Sequence, residues 1–166
     1  LLLDLRLNIL DKFVDYFVIV EGNKTWQNNP KELRFDLDKF QKFKDKIIYI
    51  PVTDLPDGVD PYLRENYQRN SILKGLSHAK SDDTIIISDL DEIPNPKKIS
   101  SFKSNMKYAV FKQMHFYYKL NLQSRNNPFW YGSRICNYKN LKSPQWLRNL
   151  NFKKRPFWRI DKIRLN

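Results

Sequence analysis

Apolar residues follow two kinds of pattern along this chain, and each predicts a different element. Over residues 4–13, Leu5, Ile9, Leu10 and Phe13 recur at helical spacing and predict a helix. Residues 16–20 (Tyr-Phe-Val-Ile-Val), 47–52 (Ile-Ile-Tyr-Ile-Pro-Val) and 84–88 (Thr-Ile-Ile-Ile-Ser) are instead continuous apolar runs rich in β-branched side chains. Runs without alternation suit strands covered on both faces, as in a parallel sheet. Between the first two runs lie a polar loop and then Leu37, Phe40 and Phe43 at helical spacing. Between the second and third, residues 61–79 predict a better helix. Asp60 can cap its first turn, Pro61 fits its first position, and Ile72, Leu73, Leu76 and Ala79 make its buried stripe. Strand, helix, strand, helix, strand is the order of α/β architecture with right-handed crossovers.

After Asp91 the pattern changes. A short helix is predicted around 96–104. Tyr108, Val110, Met114, Phe116, Tyr118 and Leu120 alternate over 108–120, which predicts a half-buried strand, and 131–138 predicts another. From about 139 the chain is polar, aromatic and poorly periodic. The expectation is a mostly parallel central sheet flanked by helices that turns mixed toward the C-terminus.

Composition sharpens this picture in a few places. The 166 residues suit one domain with one core, and 41% hydrophobic with 14% aromatic content argues against disorder. No apolar run approaches a membrane span. The chain opens in mid-pattern without Met, so it is expected to be a fragment cut at both ends, with any membrane anchor outside it. The net charge of +12, with basic enrichment at Lys153, Lys154, Arg155, Arg159, Lys162 and Arg164, fits either phosphorylated or polyanionic partners or a Lys-rich solvated surface. The single cysteine, Cys136, allows no intramolecular disulfide and no thiolate zinc site; a strand position as a small hydrophobe is expected. Only 4 glycines occur, without a Gly-x-Gly-x-x-Gly, a Walker-type loop or a Gly-x-Ser-x-Gly elbow.

Chemistry concentrates at Ile85-Ile86-Ile87-Ser88-Asp89-Leu90-Asp91-Glu92-Ile93-Pro94. An apolar strand delivers two carboxylates, two residues apart, into a turn that Pro94 and Pro96 keep from continuing as strand. Hard divalent cations such as Mg²⁺ or Mn²⁺ are held by one or two carboxylates while substrate phosphates complete the shell. Asp89 and Asp91 are therefore candidate metal ligands in an enzyme that binds a nucleotide diphosphate, although acidic residues also crowd ordinary solvated turns.

In an open α/β sheet, ligands bind beyond the carboxyl ends of the strands. Glu21 to Thr25, Asp54 to Asn70, and Asp89 to Glu92 are expected to meet there. Glu21 ends the first strand, where it can accept bonds from a ribose or base or simply face water; Lys24 follows it. Asp54 and Asp57 lie in turn-forming sequence, with Asp54 the better ligand candidate. Arg64, Gln68, Arg69 and Asn70 fall in the ligand-facing half of the helix. Arg69 shares the face of Ile72 and Leu73, so it either pairs with Asp89 or another carboxylate or contacts phosphate. His78 reads as structural and His115 stands without a second well-placed His, against a His-based metal site. The four tryptophans (Trp26, Trp130, Trp146, Trp158) and Phe129-Trp130-Tyr131 suit either core packing or stacking on sugar C–H faces.

Four segments in order carry a resemblance to a known family. They are Asp15-Tyr16-Phe17-Val18-Ile19-Val20-Glu21 with Lys24-Thr25; Asp45-Lys46-Ile47-Ile48 with Asp54-Leu55-Pro56-Asp57; Arg64-Glu65-Asn66-Tyr67-Gln68-Arg69-Asn70 with Gly75-Leu76; and Ile86 to Pro94. Over residues from about 4 to 150 the chain resembles glycosyltransferase family 17, whose eukaryotic members add a bisecting N-acetylglucosamine to N-glycans. The resemblance implies a Rossmann-like nucleotide-sugar domain of the type called GT-A, with residues 1–95 as its donor half and 96–166 as its acceptor half. It implies a nucleotide-sugar donor such as UDP-GlcNAc, a glycan or glycoprotein acceptor, and Mn²⁺ or Mg²⁺ at Asp89 and Asp91. It puts Glu21 near the nucleotide and Arg69 beside the site. The chain departs from the family pattern at both ends, lacking the opening strand residues and a later Gly-Gly-Trp-His segment.

Inverting transfer is the mechanism expected, with the ion stabilising the leaving diphosphate and a carboxylate removing the acceptor's proton. Asp91 and Glu92 are candidate catalytic residues, and Asp161 is a more distant one. Two other readings stay open. A haloacid-dehalogenase-type phosphatase also places Asp-x-Asp after an apolar strand, but continues with Gly and Thr or Val where this chain has Glu92-Ile93-Pro94. A basic nucleic-acid-binding module fits the charge but has no recognition motif behind it, so no nucleic-acid partner is expected. The compartment follows the source: cytoplasm for a bacterial or viral protein, which abundant Lys, Asn and Ile favour, or the Golgi lumen behind a membrane anchor for a eukaryotic one.

Overall fold

The computed structural model describes residues 1–118, 121–152 and 162–165. The chain divides into two units. One comprises Leu1–Arg6, Lys80–Lys142 and Trp146–Asn166, and the other Leu7–Ala79 and Ser143–Gln145.

The Leu7–Ala79 unit is built on a parallel pair. Strand β1 (Phe17–Gly22) lies beside β2 (Ile47–Val52), with Phe17 opposite Ile47 and Gly22 opposite Val52. Parallel neighbours need a long crossover, and residues 23–46 supply it, ending in a kinked 3₁₀ segment, Leu37–Lys46. Phe43 is buried there and meets Phe17 edge-on, with ring centroids 6.4 Å apart. Helix α2 (Pro61–Asn70) starts as its sequence predicts: the Asp60 side chain accepts from the Tyr62 N–H, and Pro61 occupies the first turn. It does not run on to residue 79. After Asn70 the chain tightens into a 3₁₀ turn, Ser71–Leu76, which sets Gly75 against the pair; a Cβ there would lie 2.5 Å from Val18 Cγ1. The tighter winding also rotates the predicted stripe, so Leu76 is buried while Leu73 faces water.

In the other unit, β3 (Thr84–Ile87), β4 (Tyr108–Phe111), β7 (Arg134–Asn137) and β8 (Lys162–Leu165) form one sheet in the order β3-β7-β4-β8. The expectation that the third apolar run joins the first two in a single parallel sheet is corrected here. β3 pairs antiparallel with β7, Thr84 opposite Asn137 and Ile87 opposite Arg134. Hydrophobicity says that a strand is buried but not which neighbour takes its hydrogen bonds. The sheet is mixed, since β4 runs antiparallel to β7 and parallel to β8. Ala109, Phe111, Ile135 and Leu165 form its core, with Ile86, Ile99 and Phe102 packed against them. The alternating segment 108–120 is also shorter as strand than its pattern: β4 ends at Phe111, and Gln113–Met114 (β5) pairs instead with Phe129–Trp130 (β6). Cys136 is buried in β7, and burial pushes its thiol up to about 12.

Two helices have residues in both units: α1 (Leu2–Leu10) and α3 (Pro144–Asn149). The predicted helix at 4–13 thus begins and ends earlier. The fold is mixed α/β with small sheets. No helix among the described residues is long and apolar enough to cross a membrane.

Candidate functional site

The acidic loop follows directly from β3. Ile87 is buried, Pro94 is buried beyond the turn, and Leu90 and Asp91 stand exposed at its tip. The loop closes on itself. The Glu92 N–H donates to the Asp89 carbonyl at 3.1 Å, and the Asp89 N–H donates to Glu92 Oε2 at 3.1 Å.

Glu92 is 5% exposed and its carboxylate is fully engaged. Oε1 accepts from Trp130 Nε1 at 2.7 Å and Arg148 Nη2 at 2.9 Å, and Oε2 accepts from Arg148 Nη1 at 2.7 Å as well as from Asp89. Four donors use the acceptor capacity of a carboxylate, so its geometry is that of an anchor. Arg148, from α3, reaches Asp89 Oδ2 with Nη2 at 2.8 Å and the Gly132 carbonyl with Nη1. Gly132 is constrained by this arrangement, because a Cβ there would collide with the Glu92 carboxylate and the Trp130 indole nitrogen.

A second arginine grips the loop backbone. Arg6 Nη1 donates to the carbonyls of Asp89 at 3.0 Å and Glu92 at 2.9 Å, while Nη2 meets Ser88 Oγ. Ser133 Oγ adds a bond to the Glu92 carbonyl at 3.2 Å. Burial lowers the Arg6 pKa, against the opposing pull of Glu92, Asp89 and Asp91. Arg134 is likewise brought down to about 10 by burial and by its neighbour Arg148, with Glu92 acting in the other direction. Sequence reasoning missed Arg6, Ser133 and Arg148 as partners of this loop. They lie 86, 41 and 56 residues from Glu92, and no local pattern marks them.

Among the described residues no group of three or more His, Cys, Asp or Glu side chains is arranged to hold a metal ion. The donors do fit a more open kind of site. Asp89 and Asp91 offer hard oxygens, and Mg²⁺ is commonly bound by one or two carboxylates with substrate phosphates and water completing its shell. These residues suit an ion that arrives with a diphosphate, not an all-protein cage.

The other seven candidates lie in the Leu7–Ala79 unit, and each has partners within it. Glu21, at the end of β1, accepts from Lys31 Nζ at 2.9 Å, from the N–H groups of Arg34 and Phe35, and from the Tyr49 hydroxyl at 3.1 Å. Partial burial alone would raise its pKa; the Lys31 bond, the two backbone donors and Tyr49 outweigh it and bring the carboxyl down to about 2. Burial and Glu21 together push the Tyr49 phenol up to about 12. Lys24 pairs with Asp57 at 2.6 Å, and Asp54 accepts from the Tyr67 hydroxyl at 2.6 Å.

Arg64 is 1% exposed and donates to backbone: Nε and Nη2 to the Trp26 carbonyl, and Nη1 to that of Gly58 at 2.6 Å. Gln68 Nε2 donates to the Val20 carbonyl at 3.3 Å. Arg69 has a carboxylate partner on its own helix, Glu65 at 2.7 Å, and also meets Gln145 Oε1. Asn70 Oδ1 accepts from the Gln145 N–H at 3.0 Å. Asp161 and Trp158 lie outside the described residues.

The sequence model of glycosyltransferase family 17 matches residues 1–139. The chain is 33% identical over 104 aligned residues to a β-1,4-mannosyl-glycoprotein 4-β-N-acetylglucosaminyltransferase of Homo sapiens, and 33% and 32% identical to proteins of the same name from Rattus norvegicus and Mus musculus. Each match covers 56% of this chain and 19% of the relative, so the chain spans only about a fifth of their length. No solved structure matches the chain.

Proposed function

The chain belongs to glycosyltransferase family 17, and from that premise we propose that it is a metal-dependent glycosyltransferase with a nucleotide-sugar donor and a glycan acceptor. The mammalian relatives are named for transfer of N-acetylglucosamine to a β-1,4-mannosyl-glycoprotein, and on that likeness the donor proposed is UDP-GlcNAc and the acceptor a glycoprotein glycan. A GT-A-like arrangement, with residues 1–95 serving the donor and 96–166 the acceptor, is part of the same reading.

One observation carries it. The Asp89–Glu92 loop is exposed at Asp91 yet gripped from beneath by two arginines and a buried glutamate. Such anchoring fixes the loop backbone in advance, so little reorganisation is required when a charged ligand arrives. Asp89 and Asp91 would hold Mn²⁺ or Mg²⁺, which when bound offsets the charge that grows on the departing diphosphate. Arg148 keeps Asp89 in a defined rotamer, and Arg6 fixes the carbonyls on either side of the tip. Inversion also needs a base for the acceptor hydroxyl. Glu92 has its lone pairs taken, so that task falls to Asp91 or to Asp161 beyond the described residues. Glu21, Lys24, Asp54, Arg64, Gln68, Arg69 and Asn70 are proposed as donor-side residues, with Glu21 acting by fixing the loop at 31–35 and Arg64 by fixing the loops at 26 and 58.

Calorimetric titration of the protein with UDP, with and without Mn²⁺, tests this reading. Binding that requires the ion and is lost in Asp91→Asn and Asp89→Asn is the expected result. Equal UDP affinity in the presence of chelator, or in both variants, would overturn it.

A further inference from the structure

The hairpin formed by β5 and β6 carries a run of rings outside the sheet core. His115 lies tilted against Tyr117 with centroids 4.5 Å apart and against Trp130 at 5.5 Å, and Tyr117 leads to Tyr118 at 6.3 Å. On the same hairpin Lys112 Nζ sits 4.1 Å from the Phe129 ring centroid. Trp130 and Tyr117 are each 47% exposed and Tyr118 is fully exposed, in a left-handed backbone conformation at φ 60° that a bulky side chain rarely adopts. Contiguous exposed aromatic surface of this kind marks a binding face.

The rings are also held. Trp130 Nε1 is fastened to Glu92 Oε1 at 2.7 Å, and His115 Nδ1 lies 3.2 Å from the Asn127 carbonyl. Rings fixed before binding lose little conformational freedom when a ligand lands. Because Glu92 directly follows Asp91, the tether makes the ring surface continuous with the acidic loop.

We propose that His115, Tyr117, Tyr118 and Trp130 form a saccharide-binding platform that seats the acceptor glycan beside the acidic loop. The chemistry selects a sugar over other occupants. A pyranose presents flat C–H faces to ring planes and hydroxyls to ring edges. These rings offer apolar faces bordered by the Tyr hydroxyls and the imidazole, which is the mixture of mostly apolar wall and few polar groups found in small-ligand sites. The proposal rests on the transferase reading given above.

The test titrates the full chain with mannotriose and with chitotriose, followed by indole fluorescence and by saturation transfer to sugar protons, with UDP and Mn²⁺ titrated into the same preparation. Saturable binding of at least one oligosaccharide is expected. Tyr117→Leu and Trp130→Leu should weaken it by about tenfold or more, while Tyr117→Phe, which keeps the ring, should stay within about threefold. Circular dichroism of each variant excludes misfolding as the cause. Absence of oligosaccharide binding by a wild-type protein that binds UDP and Mn²⁺ would overturn the platform alone. Unchanged binding in well-folded Tyr117→Leu and Trp130→Leu would do the same, as would sedimentation showing that these variants abolish a dimer without altering sugar affinity. Failure of the UDP arm with sugar binding intact would overturn the donor reading and leave the platform standing.

Discussion

Glu92 and Arg148 meet as a two-pronged ion pair, with Nη1–Oε2 at 2.7 Å and Nη2–Oε1 at 2.9 Å, and their side chains are 6% and 12% exposed. A buried pair of this kind gains little over an apolar substitute, but removing one partner leaves a charge stranded in a low-dielectric setting. The same Arg148 also holds Asp89 Oδ2, so the pair transmits its geometry to a candidate metal carboxylate. The glutamate that looks like a base in sequence has the acceptor sites of its carboxylate engaged in the fold.

Glu92→Gln keeps the size and an acceptor for Trp130 but leaves Arg148 with Asp89 as its remaining carboxylate partner. It should cost about 3 kcal/mol of stability by urea unfolding, with Arg148→Met similar. The double variant should cost clearly less than the sum, giving a coupling of at least about 1 kcal/mol. Additive effects would show that the pair is not an energetic unit.

Gly132→Ala should be poorly tolerated although Ala is small. Its methyl would enter space already filled by the Glu92 carboxylate and the Trp130 indole nitrogen. Overpacking of this kind costs about 1–3 kcal/mol. It should also break the indole's bond to Glu92, so the tryptophan emission should shift along with the melting temperature. A melting temperature and emission matching the wild type would mean that the cradle can relax freely.

The strands that sequence pattern predicted best are β1 and β2, since residues 16–20 and 47–52 are continuous apolar runs bounded by Asp15 and Glu21 and by Lys46 and Thr53. The α2 start was legible for a similar reason: Asp60 and Pro61 act locally. β3 was legible as a strand but not as a neighbour of β7, because pairing is a long-range choice and residues 84 and 137 share no local signal. The 3₁₀ turn at Ser71–Leu76 was hidden too, since Gly75 is shaped by Val18 and Ile48, far off in sequence. At the acidic loop the carboxylates could be read from the chain, whereas their anchors on α1 and α3 could not.

Stability should fall in acid partly through Glu21. Its carboxyl lies at about 2 in the folded protein against an ordinary value of 4.5. A depressed carboxylate stabilises the fold fully above its unfolded pKa, and that contribution is lost as pH drops through the window from 4.5 to about 2. After discounting for partial exposure, the effect is on the order of 2 kcal/mol. Unfolding free energy measured across that window should decline in the wild type and decline less steeply in Glu21→Gln. Parallel curves for the two proteins would remove Glu21 from the account.

Arg64 separates a structural strut from a ligand contact. Its guanidinium is withdrawn from water and spans two backbone carbonyls, Trp26 and Gly58; Gly58 has φ 132°, which a side chain would strain. Planar guanidinium geometry suits two acceptors at once, and an ammonium cannot reproduce it. Arg64→Lys should therefore destabilise the protein although the charge is kept, and Arg64→Met should cost about 2 kcal/mol through loss of charged hydrogen bonds. UDP affinity, measured where both variants remain folded, should fall only as far as the loops at 26 and 58 loosen, by less than about tenfold. If Arg64→Lys instead melts like the wild type while UDP binding drops by more than that, the guanidinium's main partner is the donor's phosphate and not the chain itself.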